Sequence, residues 1–199
     1  MQAIASLWCI PVVAAFFCSA MSGMAQGQAF GIVGFNNFAN LNDAKRIFVT
    51  DDTGTMIRAA GTDYRIALYW ATAGTTDETA FTQIGDSTGF LTGSLAGGFF
   101  GGGRTIKTPT PGPVLAFQCR AWAVAYGDSY EAALARGTGI GKGPIVELKT
   151  KDPYNYFETT PHIGSDAGFR GFAITIPEPR LFALWLLPMA AWLILRRCN

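Results

Sequence analysis

Two stretches alternate apolar and polar positions with the period of two that a β-strand requires. In Tyr64 to Ala73, Ile66, Leu68 and Trp70 fall on one face, and Arg65, Ala67, Tyr69 and Ala71 on the other. In Val114 to Tyr126, Leu115, Phe117, Cys119, Ala121, Ala123 and Ala125 form a wholly apolar face, which marks a central strand with this face in the core. Weaker patterns predict further strands at Phe30 to Phe38, Lys45 to Thr50, Phe81 to Ile84, Arg104 to Lys107, Pro144 to Lys149 and Gly168 to Ile176. Turn residues separate them: Asp51-Asp52-Thr53-Gly54, Gly74 to Glu78, Gly85 to Gly89 and Pro109 to Pro113. The glycines between Leu95 and Gly103 offer little to pack and predict bulges or a loose loop. One short helix is expected over about 128–136, capped by Asp128, with Glu131 reaching back and Gly137 ending it. About eight short strands and one helix predict a mainly β fold, a single antiparallel β-sandwich.

Both ends of the chain break this pattern. Ile4 to Ala20 is almost wholly apolar and is followed by Met21-Ser22-Gly23-Met24-Ala25, which places small residues where a signal peptidase needs them. The expected cut lies between Ala25 and Gln26, although the region before the apolar run carries no Lys or Arg. At the other end Pro177-Glu178-Pro179 precedes an apolar run, Leu181 to Leu195, closed by Arg196-Arg197. The arginines orient such a span with its C-terminal end in the cytoplasm, leaving everything upstream outside. Fifteen residues rise only ~22 Å as a helix, against a hydrocarbon core of about 30 Å, so the span reads as a transient docking segment. The expected organisation is a signal peptide over 1–25, a β-sandwich ectodomain over 26–175 and a terminal signal over 176–199.

Pro177-Glu178-Pro179, the apolar span and the arginine pair resemble the PEP-CTERM sorting signal of bacterial exported proteins. Pro188 interrupts the span, and Cys198-Asn199 stand where that family has a longer basic tail. The resemblance implies an exosortase, a membrane protease-transpeptidase, as processing partner, and a cell-surface or extracellular-matrix destination for the released body. The body itself is similar to a recurrent ectodomain type of such proteins. The motifs are Ala67-Leu68-Tyr69, the glycines Gly97 to Gly103, Arg120-Ala121-Trp122 and Tyr130-Glu131-Ala132-Ala133. That type implies strands and no particular chemistry.

Composition narrows the chemistry. The 199 residues carry 15% charged side chains and a net charge of +1, with both signs spread along the chain, so no basic face for nucleic acid is expected. After both expected cuts Cys119 is the sole cysteine of the body, and its apolar strand context reads as a buried, inert thiol. His162 is the single histidine, which excludes a site built from several imidazoles. It could join Asp166 and a serine, but there is no Gly-x-Ser-x-Gly elbow. The run Gly137 to Gly143 imitates a phosphate loop and fails its spacing, since Arg136 and Gly143 occupy the positions where Gly and Ser or Thr are needed. It reads as a flexible helix-to-strand connection. No cofactor is implied. Asn40, Asn42, Asp43, Asp51 and Asp52 offer calcium-type oxygens, without the spacing of an EF-hand loop, and are also ordinary turn residues.

Three functions are compatible with this pattern. The leading expectation is a non-enzymatic exported protein of the surface or matrix. A second is a module that binds matrix polysaccharide, with Tyr154 and Tyr156, in a loop beside Pro153 and Asn155, stacking on sugar rings. A third is a secreted hydrolase using a carboxylate pair such as Glu131 and Glu158.

Overall fold

The computed structural model describes residues 29–38, 41–50, 53–166 and 168–176. The expected signal peptide with its Ala25–Gln26 cut, and the sorting signal with Pro177, Glu178, Pro179, Arg196 and Arg197, lie outside the described residues. So do Asn40, Asp51 and Asp52.

The described chain is mainly β, with antiparallel sheets and one short helix. Its strands are β1 (Ala29–Asn36), β2 (Phe48–Thr50), β3 (Met56–Arg58), β4 (Gly61–Thr72), β5 (Thr82–Phe90), β6 (Phe100–Thr108), β7 (Val114–Ala123), β8 (Ile140–Lys142), β9 (Val146–Lys149) and β10 (Ala173–Ile174). The helix α1 spans Tyr130–Ala135. The largest sheet has the order β5-β4-β7, with β8 and β9 sharing the far edge of β7. A pair, β1 and β6, and a three-stranded sheet, β10-β2-β3, pack across from it. The central place predicted for Val114 to Tyr126 is therefore occupied by β7, after which Val124–Tyr126 turns as a 3-10 helix.

The alternation of β4 and β7 sorts their side chains into two cores. Ile66, Leu68, Leu115, Phe117, Cys119 and Ala121 face the sandwich interior with Phe35, Phe99, Phe169 and Ile174. On the reverse face Ala67, Tyr69, Ala71, Ala116 and Trp122 are covered by Phe81 and by Tyr130 and Ala133 of α1. A strand covered on both faces has few positions left for polar side chains, which is why β7 reads as nearly unbroken apolar sequence with two exceptions, Gln118 and Arg120.

Four expectations are corrected. The turn predicted at Gly85 to Gly89 lies inside β5: the register jumps from Leu68↔Ile84 to Ile66↔Thr88, and the surplus residues form a bulge that Gly85 permits at φ +60°. The connection predicted over Gly137 to Gly143 contains β8, and β10 approaches Gly141 so closely that a Cβ would collide with the Ala173 carbonyl. Ser129, and not Asp128, caps α1, accepting from the Ala132 N–H at 3.1 Å. Finally, only Ala173–Ile174 of Gly168 to Ile176 is regular strand, and it runs parallel to β2. The glycines 101–103 do join β6, with the bulge expected there falling between Phe35 and Asn36 of its partner.

Candidate functional site

Of the two polar residues of β7, Arg120 lines the cleft under α1 and Gln118 is buried beside it. Gln118 and Arg120 point to the helix side of the sheet because they share the parity of Ala116 and Trp122. Arg120 is 7% exposed, and its guanidinium carbon stacks over the rings of Tyr69 at 4.3 Å, Tyr130 at 5.4 Å and Phe81 at 5.8 Å. Its Nε donates to Gln118 Oε1 at 2.8 Å and its Nη2 to the Glu78 carbonyl at 2.6 Å. Gln118 donates in turn to Glu78 Oε1 at 3.2 Å and to the Gly143 carbonyl at 3.1 Å. The Glu78 carboxylate is closed by Lys142 Nζ at 2.5 Å, and that bond holds its pKa below the ordinary carboxylate value against the opposing effect of burial.

Tyr69 completes the cluster. Its hydroxyl donates to Glu131 Oε1 at 2.7 Å across the sheet-to-helix boundary. Burial, followed by this bond, pushes the phenol well above its usual range, so Tyr69 stays a donor at any physiological pH. Burial also raises Tyr130. Glu131, expected to cap its own helix, instead fastens α1 to β4. The open cleft has a volume of about 570 Å³, with Leu134, Ile140 and Phe81 as its apolar walls and Arg120, Glu78, Glu131, Lys142 and Thr79 as polar lining. Tyr69, Arg120, Tyr130 and Glu131 come from three of the four motifs singled out in the sequence and meet here as one constellation. Gln118, Glu78 and Lys142 had no sequence signal beyond a polar residue in an otherwise apolar strand at Gln118.

A second feature sits in the connection after β9. Thr150 fixes its start, bonding the Pro113 carbonyl through both N–H and hydroxyl at 2.9 Å. Asp152 Oδ1 then accepts from the Tyr154 N–H at 2.9 Å, and Asn155 Oδ1 from the Phe157 N–H at 3.2 Å, two successive side-chain turns. Glu158 closes the loop by accepting from Lys149 Nζ at 2.9 Å and the Asp152 N–H at 3.1 Å. These bonds, the lysine first, lower its pKa. On this frame Tyr154, Tyr156 and Phe157 stand out 67%, 88% and 99% exposed. Phe157 escaped sequence reading because an isolated Phe ordinarily signals core.

The loop and the chain's route toward Pro177 lie at opposite ends of β7. Lys149 pairs with Val114 at the strand's start, whereas Ile176 lines a small hollow with Ala123, Val124, Ala125 and Tyr126 beyond its end. Ten strand residues rise roughly 33 Å.

The remaining candidates are occupied by structural contacts. Glu131 sits over Tyr69, which pairs with Gln118, and Glu158 beside Lys149, which pairs with Val114. Each carboxylate is thus committed to a different structural partner. His162 is half-buried, its Nδ1 2.9 Å from the Asn36 side-chain nitrogen, while the Asp166 carboxylate accepts from the Gly168 N–H. Asp43 pairs with Arg58 at 2.8 Å and Arg46 at 3.3 Å. Among the described residues no group of three or more His, Cys, Asp or Glu could hold a metal ion, and no helix is long and apolar enough to cross a membrane. Cys119 is buried, and burial raises its thiol pKa. No family model, curated protein or solved structure matches the chain.

Proposed function

We propose that the protein is an exported, non-enzymatic component of the cell surface or extracellular matrix, delivered and processed through its PEP-CTERM-like end. The observation that supports this reading is the order of the chain at its carboxyl end, strand pairing up to Ile176 and then the sorting-like motif. β10 bonds β2 on one side, and on the other the Thr175 N–H and carbonyl bond Ile140 and Gly139. Ile176 packs against the core, and the next residues are Pro177-Glu178-Pro179. At the other end, Ala29 pairs with Thr108 just beyond the expected signal-peptidase cut between Ala25 and Gln26. Fractionation of host cells with and without the exosortase tests the reading: the protein is expected in the surface or medium fraction with the enzyme and in the membrane without it. An identical distribution in both strains overturns it.

The exposure of Tyr154 and Tyr156 favours a second reading, in which the domain binds matrix polysaccharide. Tyrosine offers a flat apolar face with a polar edge, suited to a sugar ring. Both side chains are exposed near the end of β7 remote from Ile176. Affinity electrophoresis through the host's own matrix polymer tests it. Retardation that disappears in Y154A/Y156A supports the reading, and unretarded wild-type protein contradicts it.

A further inference from the structure

The cleft under α1 holds polar groups that the fold does not use. Arg120 is a nearly buried cation, yet no carboxylate among the described residues forms an ion pair with it, because Glu78 is taken by Lys142. Its Nε and Nη2 have acceptors, and its Nη1 makes no hydrogen bond among the described residues. Tyr130 is 4% exposed and lines the same cleft, and its hydroxyl makes none either. Glu131 uses Oε1 for Tyr69, which leaves Oε2 as an acceptor. An anion placed against Arg120 Nη1 would add a charge-assisted hydrogen bond to a guanidinium that is already held in place.

We propose that this cleft is a binding site for a small hydroxylated carboxylate of sugar-acid size, its carboxylate received by Arg120 Nη1 and the Tyr130 hydroxyl. Three features select that class. The rings of Tyr69, Tyr130 and Phe81 hold the guanidinium plane in place before the ligand arrives, so little ordering is lost on binding. Glu131 Oε2 and Thr79 ask for ligand hydroxyls, which a purely apolar acid lacks. Leu134, Ile140 and Phe81 provide an apolar wall for the carbon face of a ring. The volume, about 570 Å³, suits a single ring with its substituents. This assignment stands apart from the export reading and from the aromatic loop, since it requires neither the tail nor Tyr154 and Tyr156.

The test uses the purified full chain in detergent, titrated calorimetrically with glucuronate, with a glucuronate oligomer and with glucose. Saturable binding of either acid, with glucose at least tenfold weaker, is expected. Preference for monomer or oligomer then tells a free sugar acid from a uronate within a polymer. Arg120→Gln should weaken acid binding by about tenfold or more, equivalent to about 1.4 kcal/mol. Should that variant fail to fold, Leu134→Trp carries the test: Leu134 is half exposed at the cleft wall, and an indole there should abolish binding while the melting curve stays cooperative. The proposal is overturned if folded wild-type protein binds neither acid, if glucose binds as well as glucuronate, or if Leu134→Trp binds as the wild type does.

Discussion

The cleft under α1 and the loop over 152–158 are built from the same residue types, tyrosine, phenylalanine, glutamate and a basic partner, and put them to opposite uses. Under α1 the rings turn inward on Arg120, and the Tyr69 hydroxyl is consumed by Glu131. In the loop the backbone and the carboxylates hold one another, and the rings are excluded from every contact the frame makes. The difference comes from strand parity. Tyr69 and Arg120 sit in an alternating sheet whose reverse face must be covered, whereas Tyr154, Tyr156 and Phe157 follow turns that present successive side chains to solvent. Aromatic content alone therefore does not distinguish a core from a binding surface. What each ring's neighbours do with their hydrogen bonds does.

Substitutions in the two regions should separate them sharply. Tyr130→Ala removes a buried ring from both the second core and the cage around Arg120, and should cost about 3 to 5 kcal/mol by denaturant unfolding. Tyr69→Phe keeps the ring and removes the bond to Glu131 with the longer one to Gln83, for an expected loss of about 1 kcal/mol. A loss as large as that of Tyr130→Ala would mean that the bond, and not the packing, holds α1 to the sheet.

Acid should weaken the cleft through Glu78. Its pKa is lower in the folded protein than in the unfolded chain, so its contribution is present above the ordinary carboxylate range and is lost as the pH falls through the folded value. The melting temperature of the wild type should therefore fall below about pH 4.3. The deficit of Glu78→Gln at pH 7 should shrink over the same interval. A deficit that is constant with pH would show that Lys142 and Gln118 do not favour the ionised form.

The smallest effect is expected in the loop. Replacing Tyr154, Tyr156 and Phe157 together by alanine should change stability by no more than about 0.5 kcal/mol, because the rings bury almost nothing. A larger loss would place them in the fold and remove the basis for calling them a contact surface.

The strands with a strict period of two, β4 and β7, were legible in sequence to within a few residues, as was the exposure of Tyr154 and Tyr156. The Gly85 bulge was not, since a glycine followed by Asp, Ser and Thr has the same composition whether it ends a strand or swells one. β8 was hidden for a related reason: Ile140-Gly141-Lys142 is too short to show a period, and its glycine answers to β10, some thirty residues later in the chain. The cleft was half legible. Tyr69, Arg120, Tyr130 and Glu131 lay in recognised motifs, but the partners that assemble them, Glu78 and Lys142, are ordinary surface residue types whose role depends on long-range pairing.

The central claim, that the folded domain is exported and freed from a terminal signal, is tested most directly by intact-mass measurement of the protein recovered from its native host. The account predicts a polypeptide that begins at Gln26 and lacks Leu181 to Asn199. A polypeptide that keeps those last residues would contradict it.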